Sequence, residues 1–217
     1  MPKAVLAYWD IRGLAQPIRL LLEYTGEDYE EKKYSCGPAP DFDKSSWLAI
    51  KQSISLDFPN LPYYIGGDVK LTQSNAILRH IARKNDLCGK TENDKWRVDL
   101  LAEQAMDFRN GIVHLCYNPN FESLKDNYLK SVQGKLVEFS NFIGKGPWFT
   151  GESITFVDFI MYELLDQHRL LSSTVLDQFK NLKDFLDRFE KLPKIAEYMK
   201  SERFIHRPIN NKMAAFK

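Results

Sequence analysis

Three short stretches in the first third of the chain carry residue types that could do chemistry together. Tyr8-Trp9 closes an apolar run and stands just before Asp10-Ile-Arg-Gly13. In an open α/β sheet, ligands gather at the carboxyl ends of strands, so a tyrosine there can turn its hydroxyl into a site. The alternative is a core aromatic whose hydroxyl is satisfied internally. Phe58-Pro-Asn-Leu-Pro62 precedes a strand-like segment. A proline there cannot donate to a ladder, so Pro62 fits a tight, cis entry to a sheet edge, or else an ordinary turn. Gln73-Ser74 opens a helical segment. Its free N–H groups and the positive end of its dipole would hold a carboxylate; an ordinary helix cap is the alternative. A peptide binder beside a carboxylate binder suits a small anionic peptide without naming it.

Other residues invite chemistry and receive plainer readings. Cys36, Cys88 and Cys116 are odd in number and widely spaced, which argues against a disulfide framework or a zinc site and suits a reducing, cytosolic setting. Cys88 and Cys116 read as inert buried thiols. His80, His114, His168 and His206 lack metal-ligand spacing, so none is assigned to a metal. Thr155-Phe-Val-Asp158 reads as a capping box with Ile154 and Phe159 as its staple, which makes Asp158 a structural cap. Asp99, Glu103 and Asp107 form a stripe at four-residue spacing, by itself a solvated helix face. With 217 residues, 44% apolar, 27% charged and a net charge of +1, the chain is an ordinary globular composition. Its charge favours neither nucleic acid nor an anionic membrane. No apolar run approaches the roughly 20 residues of a membrane span. Asp10 and Arg12 interrupt the only stretch that could resemble a signal peptide.

These residues need elements to position them. Lys3 to Trp9 is a short apolar strand. Leu14 to Tyr24 has helical spacing, with Pro17 in the opening turn, where its missing N–H costs little. Asp28 to Tyr34 is a polar, edge-like strand, followed by a loop punctuated by Gly37, Pro38 and Pro40. Tyr63 to Ile65 and Val69 to Thr72 flank Gly66-Gly67-Asp68 as a hairpin, and Ser74 to Lys84 is a helix. The order is β-α-β-α-β-β-α, a small α/β sandwich. In a thioredoxin-like version of it, Leu61 would pair with a bound peptide backbone.

Beyond about residue 90 the strand signals largely vanish. Val98 to Leu115 and Phe121 to Ile143 are long amphipathic helices, the first ended at Asn118-Pro119. Another runs from Phe179 to Leu192, where Pro193 breaks the pattern. From Arg203 the chain is irregular and basic. The expected organisation is an α/β unit over residues 1–85, a linker near Asp86 to Thr91, and an all-helical unit over 91–217.

Tyr8-Trp-Asp-Ile-Arg-Gly-Leu-Ala15, Ala39-Pro-Asp-Phe-Asp43, Leu56-Asp-Phe-Pro-Asn-Leu-Pro-Tyr63 and Leu71-Thr-Gln-Ser-Asn-Ala-Ile-Leu78 resemble the mu class of glutathione S-transferases. So do Cys116-Tyr-Asn118, Ile154-Thr-Phe-Val-Asp-Phe159 and Lys212-Met-Ala214, in order over essentially the whole chain. The resemblance implies a thioredoxin-like domain plus an all-α domain, and a cytoplasmic homodimeric detoxification enzyme with glutathione as co-substrate and no metal. It implies that Tyr8 donates a hydrogen bond to the glutathione sulfur. Trp9, Lys44, Trp47, Lys51, Asn60, Leu61, Gln73 and Ser74 would hold the tripeptide, with Asp107 reaching across the dimer to the partner's glutathione. Leu14, Arg109, Asn110, Tyr117 and Asn211 would face the electrophile, with Asn210 beside them. The loop Ser35 to Pro40 would cover the site, and Phe58 would insert into the neighbouring subunit.

The departures are Lys44 for a usual arginine, which keeps charge but loses the bidentate fork, Gln52 for an aromatic, and Ser55 for a glycine. Ser55 would be strained if its φ were positive. Rival readings are an intracellular carrier of apolar anions, a structural protein with a vestigial site, and a glutathione-dependent isomerase. Retention of Tyr8, Gln73, Ser74 and Asp107 argues against the structural rival, since a fold alone does not require those side chains.

Overall fold

The computed structural model describes residues 3–217. Its first part runs β1 (Ala4–Trp9), α1 (Gln16–Thr25), β2 (Tyr29–Tyr34), α2 (Ser45–Lys51), β3 (Tyr63–Gly66), β4 (Val69–Thr72) and α3 (Ser74–Lys84). The strands form one sheet in the order β2-β1-β3-β4. β1 pairs parallel with β2, while β3 runs antiparallel to both β1 and β4. The apolar AVLAYW of β1 suits an interior strand covered on both faces, and Leu6, Ala7 and Tyr8 are buried. The polar YEEKKY of β2 takes the edge. The rest is helical: α4 (Glu92–Cys116), α5 (Phe121–Ile143), α6 (Phe156–Leu171), α7 (Lys180–Glu190) and α8 (Pro193–Lys200). No helix among the described residues is long and apolar enough to cross a membrane.

Four sequence expectations change. α4 begins at Glu92, a turn and more before the apolar periodicity starts at Val98, because Thr91 and Asp94 close a capping box: the Asp94 N–H donates to the Thr91 hydroxyl (3.1 Å) and the Thr91 N–H to the Asp94 carboxylate (3.0 Å). Pro193 starts a helix as well as ending one, since its missing N–H is harmless in a first turn and α8 begins there. Gly66 lies in β3, leaving Gly67-Asp68 as the turn. Ser55 is not among the non-glycine residues with positive φ, which are Phe42, Gln73 and Asp86. A glycine at position 55 would therefore relieve no strain and would only add freedom to the unfolded chain.

One apolar core spans both parts. Ile18, Leu21 and Leu22 of α1 and Ile77 and Ile81 of α3 join Val98 and Leu101 of α4 and Phe159 and Met161 of α6. On the other face of the sheet a smaller cluster gathers Tyr8, Ile11, Tyr34, Trp47, Leu61 and Tyr63. The capping box at α6 is present. Its Asp158 carboxylate accepts the Thr155 N–H at 2.7 Å and the Phe149 N–H at 2.9 Å, so it is fully employed in holding backbone.

The junction between the parts also contains charge. Arg12, only 2% exposed, sends its guanidinium into α6. Nε donates to Glu163 Oε1 at 3.0 Å and Nη2 to Glu163 Oε2 at 2.6 Å, and Nη2 also donates to Asp166. Burial alone would lower the Arg12 guanidinium, but Glu163 and then Asp166 hold it above its ordinary range. Gln167 donates to Glu163 at 2.8 Å and Arg169 to Asp166 at 2.7 Å, so both acids are fully engaged.

Removing one partner of such a cluster leaves buried charge uncompensated, a cost of about 3–5 kcal/mol. Arg12→Ala should lower the denaturant midpoint accordingly. A midpoint equal to the parent's would mean that water reaches Glu163 and Asp166.

Candidate active site

Tyr8 is the last residue but one of β1, with its side chain buried. Its hydroxyl accepts the Leu14 N–H at 3.2 Å. A phenol oxygen that accepts through a lone pair keeps its own hydrogen for another acceptor. The loop that supplies this N–H is clamped. The Arg12 N–H donates to Pro208 O at 2.9 Å and the Gly13 N–H to Ile209 O at 3.1 Å, while Arg19 Nη1 donates to Ile11 O at 2.8 Å. Gly13 has φ +45°, and a Cβ there would stand 2.6 Å from Tyr8 Cε1 and 2.8 Å from its hydroxyl oxygen. Glycine is thus required twice, for its backbone angle and for the approach of the ring.

The α3 N-terminus lies nearby. Gln73 enters it at φ 69° with no side-chain cap, an unusual backbone for a residue with a Cβ and one that recurs at binding sites. The first-turn N–H groups are therefore open to an anion. The Leu61-Pro62 bond is cis. Asn60 Oδ1 accepts the Leu61 N–H at 2.9 Å. A peptide pairing at Leu61 meets a free carbonyl but must displace Asn60 to reach the N–H.

Trp47 is buried on α2 between Tyr34 (centroids 5.4 Å) and Tyr63 (6.0 Å), whose hydroxyls share a 2.9 Å hydrogen bond. Its indole N–H has no partner among the described residues. Trp9 lies half-buried against the edge of Tyr34. Lys44 and Lys51 flank α2 without ion-pair partners among the described residues, Lys44 exposed and Lys51 half-buried. The acidic stripe on α4 is a solvated face, as expected, with one exposed bridge. Arg79 bridges Asp99 (3.2 Å) and Glu103 (3.0 Å), while Asp107 is exposed and unpaired among the described residues.

A second set faces Tyr8 from the helices and the tail. Leu14 and Arg109 line one crevice with Gly13, Ser74 and Glu163. Tyr117, 37% exposed, accepts the Asn211 N–H at 2.9 Å. Burial raises the Tyr117 phenol, which the Asn211 N–H and then Arg109 oppose. Asn110 is exposed and hydrogen-bonds none of these residues. Asn210 is corrected: it is buried and donates to Phe216 O at 3.0 Å, so its side chain serves the tail and leaves Asn211 at the rim.

The sequence reading also missed the tie between the tail and the loop Ser35 to Pro40. Lys212 Nζ donates to Cys36 O at 2.7 Å and the Cys36 thiol lies 3.6 Å from Asn211 Oδ1; no local pattern announces a contact across so many residues. Cys88 is half-buried, not buried as expected, because its site lies at the edge of the core. Burial pushes the Cys116 thiol up to about 11 and also raises Cys88, which keeps both protonated at neutral pH.

Comparison with known proteins gives two family matches, the glutathione S-transferase N-terminal domain over residues 4–83 and the C-terminal domain over 106–202. Human glutathione S-transferase Mu 3 is 57% identical over 97% of this chain and 93% of its own length. Human glutathione S-transferase Mu 1 is 58% identical over 98% and 97%. Among solved structures, the glutathione S-transferase Blo t 8 superposes with a TM-score of 0.88 at 33% identity, covering 97% of this chain and 98% of its own. A pi-class enzyme of Onchocerca volvulus reaches 0.87 at 31%, covering 98% and 100%.

Gly13→Ala tests the packing around the phenol. Relief of the 2.6 Å clash must shift the Tyr8 ring or the loop, and the strained φ adds about 1 kcal/mol or more. Melting temperature should fall and Tyr8 should be displaced in a crystal structure of the variant; an undisplaced ring at parental stability would contradict the geometry.

Proposed function

The chain belongs to the mu class of the glutathione S-transferase family, and from that premise we propose that it ionises the thiol of bound glutathione and adds the thiolate to hydrophobic electrophiles. The observation that carries this reading is the Tyr8 hydroxyl, which accepts the Leu14 N–H and so keeps its proton for the sulfur.

In this reading the tripeptide lies along the sheet half, residues 1–85. The γ-glutamyl carboxylate meets the open first turn of α3 at Gln73 and Ser74. The cysteinyl backbone pairs with Leu61, with Asn60 swinging aside or adding its own contact. The glycine carboxylate meets Lys44, Lys51 and the unpartnered indole N–H of Trp47, with Trp9 packing behind. The helical part, 91–217, carries much of the electrophile site: Leu14 of the first part meets Arg109, Asn110, Tyr117 and Asn211. The scheme calls on no metal, nucleic acid or membrane. The enzyme works in the cytoplasm as a homodimer, in which Asp107, free of its neighbours' bridge to Arg79, reaches the partner's glutathione. Phe58, 78% exposed, seats in the partner's helical domain.

The chemistry follows from acidity. A free thiol with pKa near 8.5 is only about 3% thiolate at pH 7, and the thiolate is the nucleophile. A phenol held in place donates more strongly to S⁻ than to SH. Lowering the thiol pKa by about two units takes roughly 2.7 kcal/mol, which one charge-assisted hydrogen bond largely supplies.

Tyr8→Phe should keep glutathione affinity within a few-fold and lower turnover with a reactive aryl halide by roughly tenfold to a hundredfold. The thiolate absorbance of its glutathione complex should titrate at higher pH than the parent's. If neither titration nor turnover moves, Tyr8 is a packing residue and the sulfur is activated elsewhere.

Phe58→Ser should weaken the dimer by roughly 2–4 kcal/mol, the weight of an aromatic hot spot. Activity should fall with it, because Asp107 acts across the interface. Sedimentation at low protein concentration reads the dimer directly, and an unchanged dimer would remove Phe58 from the interface.

A further inference from the structure

Among the described residues, Arg109 of the proposed electrophile region has no partner that answers its charge. It projects from α4 into the crevice lined by Gly13, Leu14, Ser74 and Glu163 and is half-buried. Among the described residues it has neither an ion pair nor a hydrogen bond. The acid that shares its crevice is already spent. Glu163 gives both oxygens to Arg12, and Oε1 also accepts from Gln167. Asp166, one turn on, is divided between Arg12 and Arg169. Burial pulls the Arg109 guanidinium below its ordinary range, and the groups that pull it back are Tyr8, Tyr117 and Glu163 in that order. Arg109 shares its crevice with Leu14, whose N–H binds the Tyr8 hydroxyl.

A half-buried guanidinium without a counter-ion carries a desolvation cost that a bound anion would offset. Its planar fork, weakly hydrated and rich in donors, matches a carboxylate on two parallel hydrogen bonds. We propose that Arg109 is a specificity-determining residue that selects electrophiles bearing a carboxylate, and that it grips this group while the reacting carbon faces the sulfur beside Tyr8. The inference rests on the transferase reading above. One competing role is visible in the same geometry. Ser74 lines the crevice too, so Arg109 could instead serve the γ-glutamyl carboxylate of glutathione itself.

The test pairs two acceptors of nearly equal shape, 4-chloro-3-nitrobenzoate and 4-chloro-3-nitrobenzamide, at saturating glutathione. Taking the ratio of kcat/KM between parent and variant cancels their different intrinsic reactivities. Arg109→Gln should lower kcat/KM for the benzoate by about tenfold to a hundredfold relative to the benzamide, the weight of a charge-assisted hydrogen bond. Arg109→Lys should recover part of that, and the glutathione KM should stay within twofold in both. Calorimetric binding of the two glutathione conjugates should show the same preference in the parent and its loss in Arg109→Gln. Equal effects on both acceptors and both conjugates overturn the proposal. So does a rise in glutathione KM that accounts for the loss, which assigns Arg109 to the tripeptide. If the parent turns over neither acceptor yet prefers the carboxylate conjugate, and Arg109→Gln abolishes that preference, the transferase reading fails while the assignment of Arg109 stands.

Discussion

The arrangement depends on a buried guanidinium that fastens one loop. Tyr8 is held by its strand, but the direction of its hydroxyl is set by the Leu14 N–H, and Leu14 belongs to the connection between β1 and α1. That connection would be a free surface loop on the sheet alone. Arg12 carries it into α6 by gripping Glu163 and Asp166, Arg19 holds the Ile11 carbonyl from beneath, and the tail receives the Arg12 and Gly13 N–H groups. The helical part therefore helps to fix where the Tyr8 hydroxyl points. Buried ion clusters are poor sources of net stability compared with apolar packing, yet they accept only one register. A Leu or Met in place of Arg12 could fill the space without choosing where Leu14 lies.

How much of this was legible in the sequence follows from range. Signals that act over a few residues came through. The AVLAYW run marked the interior strand, the glycines marked the hairpin, and the Thr155–Asp158 spacing marked a cap that the structure contains. The positions of Tyr8 near a strand end, Leu61 before a cis proline and Ser74 at a helix start are local events and were legible for the same reason. What failed locally did so through competition. Pro193 was read as a stop, although proline is equally a start. The Thr91–Asp94 box carries no apolar signal, since the stretch from Glu92 to Arg97 has little apolar spacing.

Long-range polar partners left no trace at all. Nothing near Arg12 announces Glu163, 151 residues away, and hydropathy argues that a helix with Glu163, Asp166, Gln167 and His168 should show them to solvent, whereas all four are buried. The tail gives the same lesson. From Arg203 onward it has no regular element, but it is tied at Pro208, Ile209 and Asn211, and by the Ala215 N–H to Cys116 O at 2.8 Å. Irregular backbone is not loose backbone when its N–H and C=O groups are spent on neighbours. The family resemblance assigned residues in this tail to the pocket, and only the coordinates separate Asn211, at the rim, from Asn210, which is turned inward.

In the proposed mechanism a neutral donor for the sulfur has a physical logic. Nucleophilicity falls as thiol pKa falls, with a Brønsted slope of about 0.4–0.5. Taking the pKa from about 8.5 to 6.5 raises the thiolate fraction at pH 7 from about 3% to about three-quarters, while intrinsic reactivity drops by roughly eightfold, for a net gain of about threefold. A further two units would add about a third to the fraction and cost roughly another eightfold. Optimal activation is therefore modest, within the reach of one phenol hydrogen bond, and a cation in direct contact with the sulfur would overshoot it. In this chain the cations keep to that division. In the proposed scheme Lys44 and Lys51 serve the glycine carboxylate, while Arg109 serves the acceptor, where charge on the incoming molecule, and not on the nucleophile, is what remains to be matched.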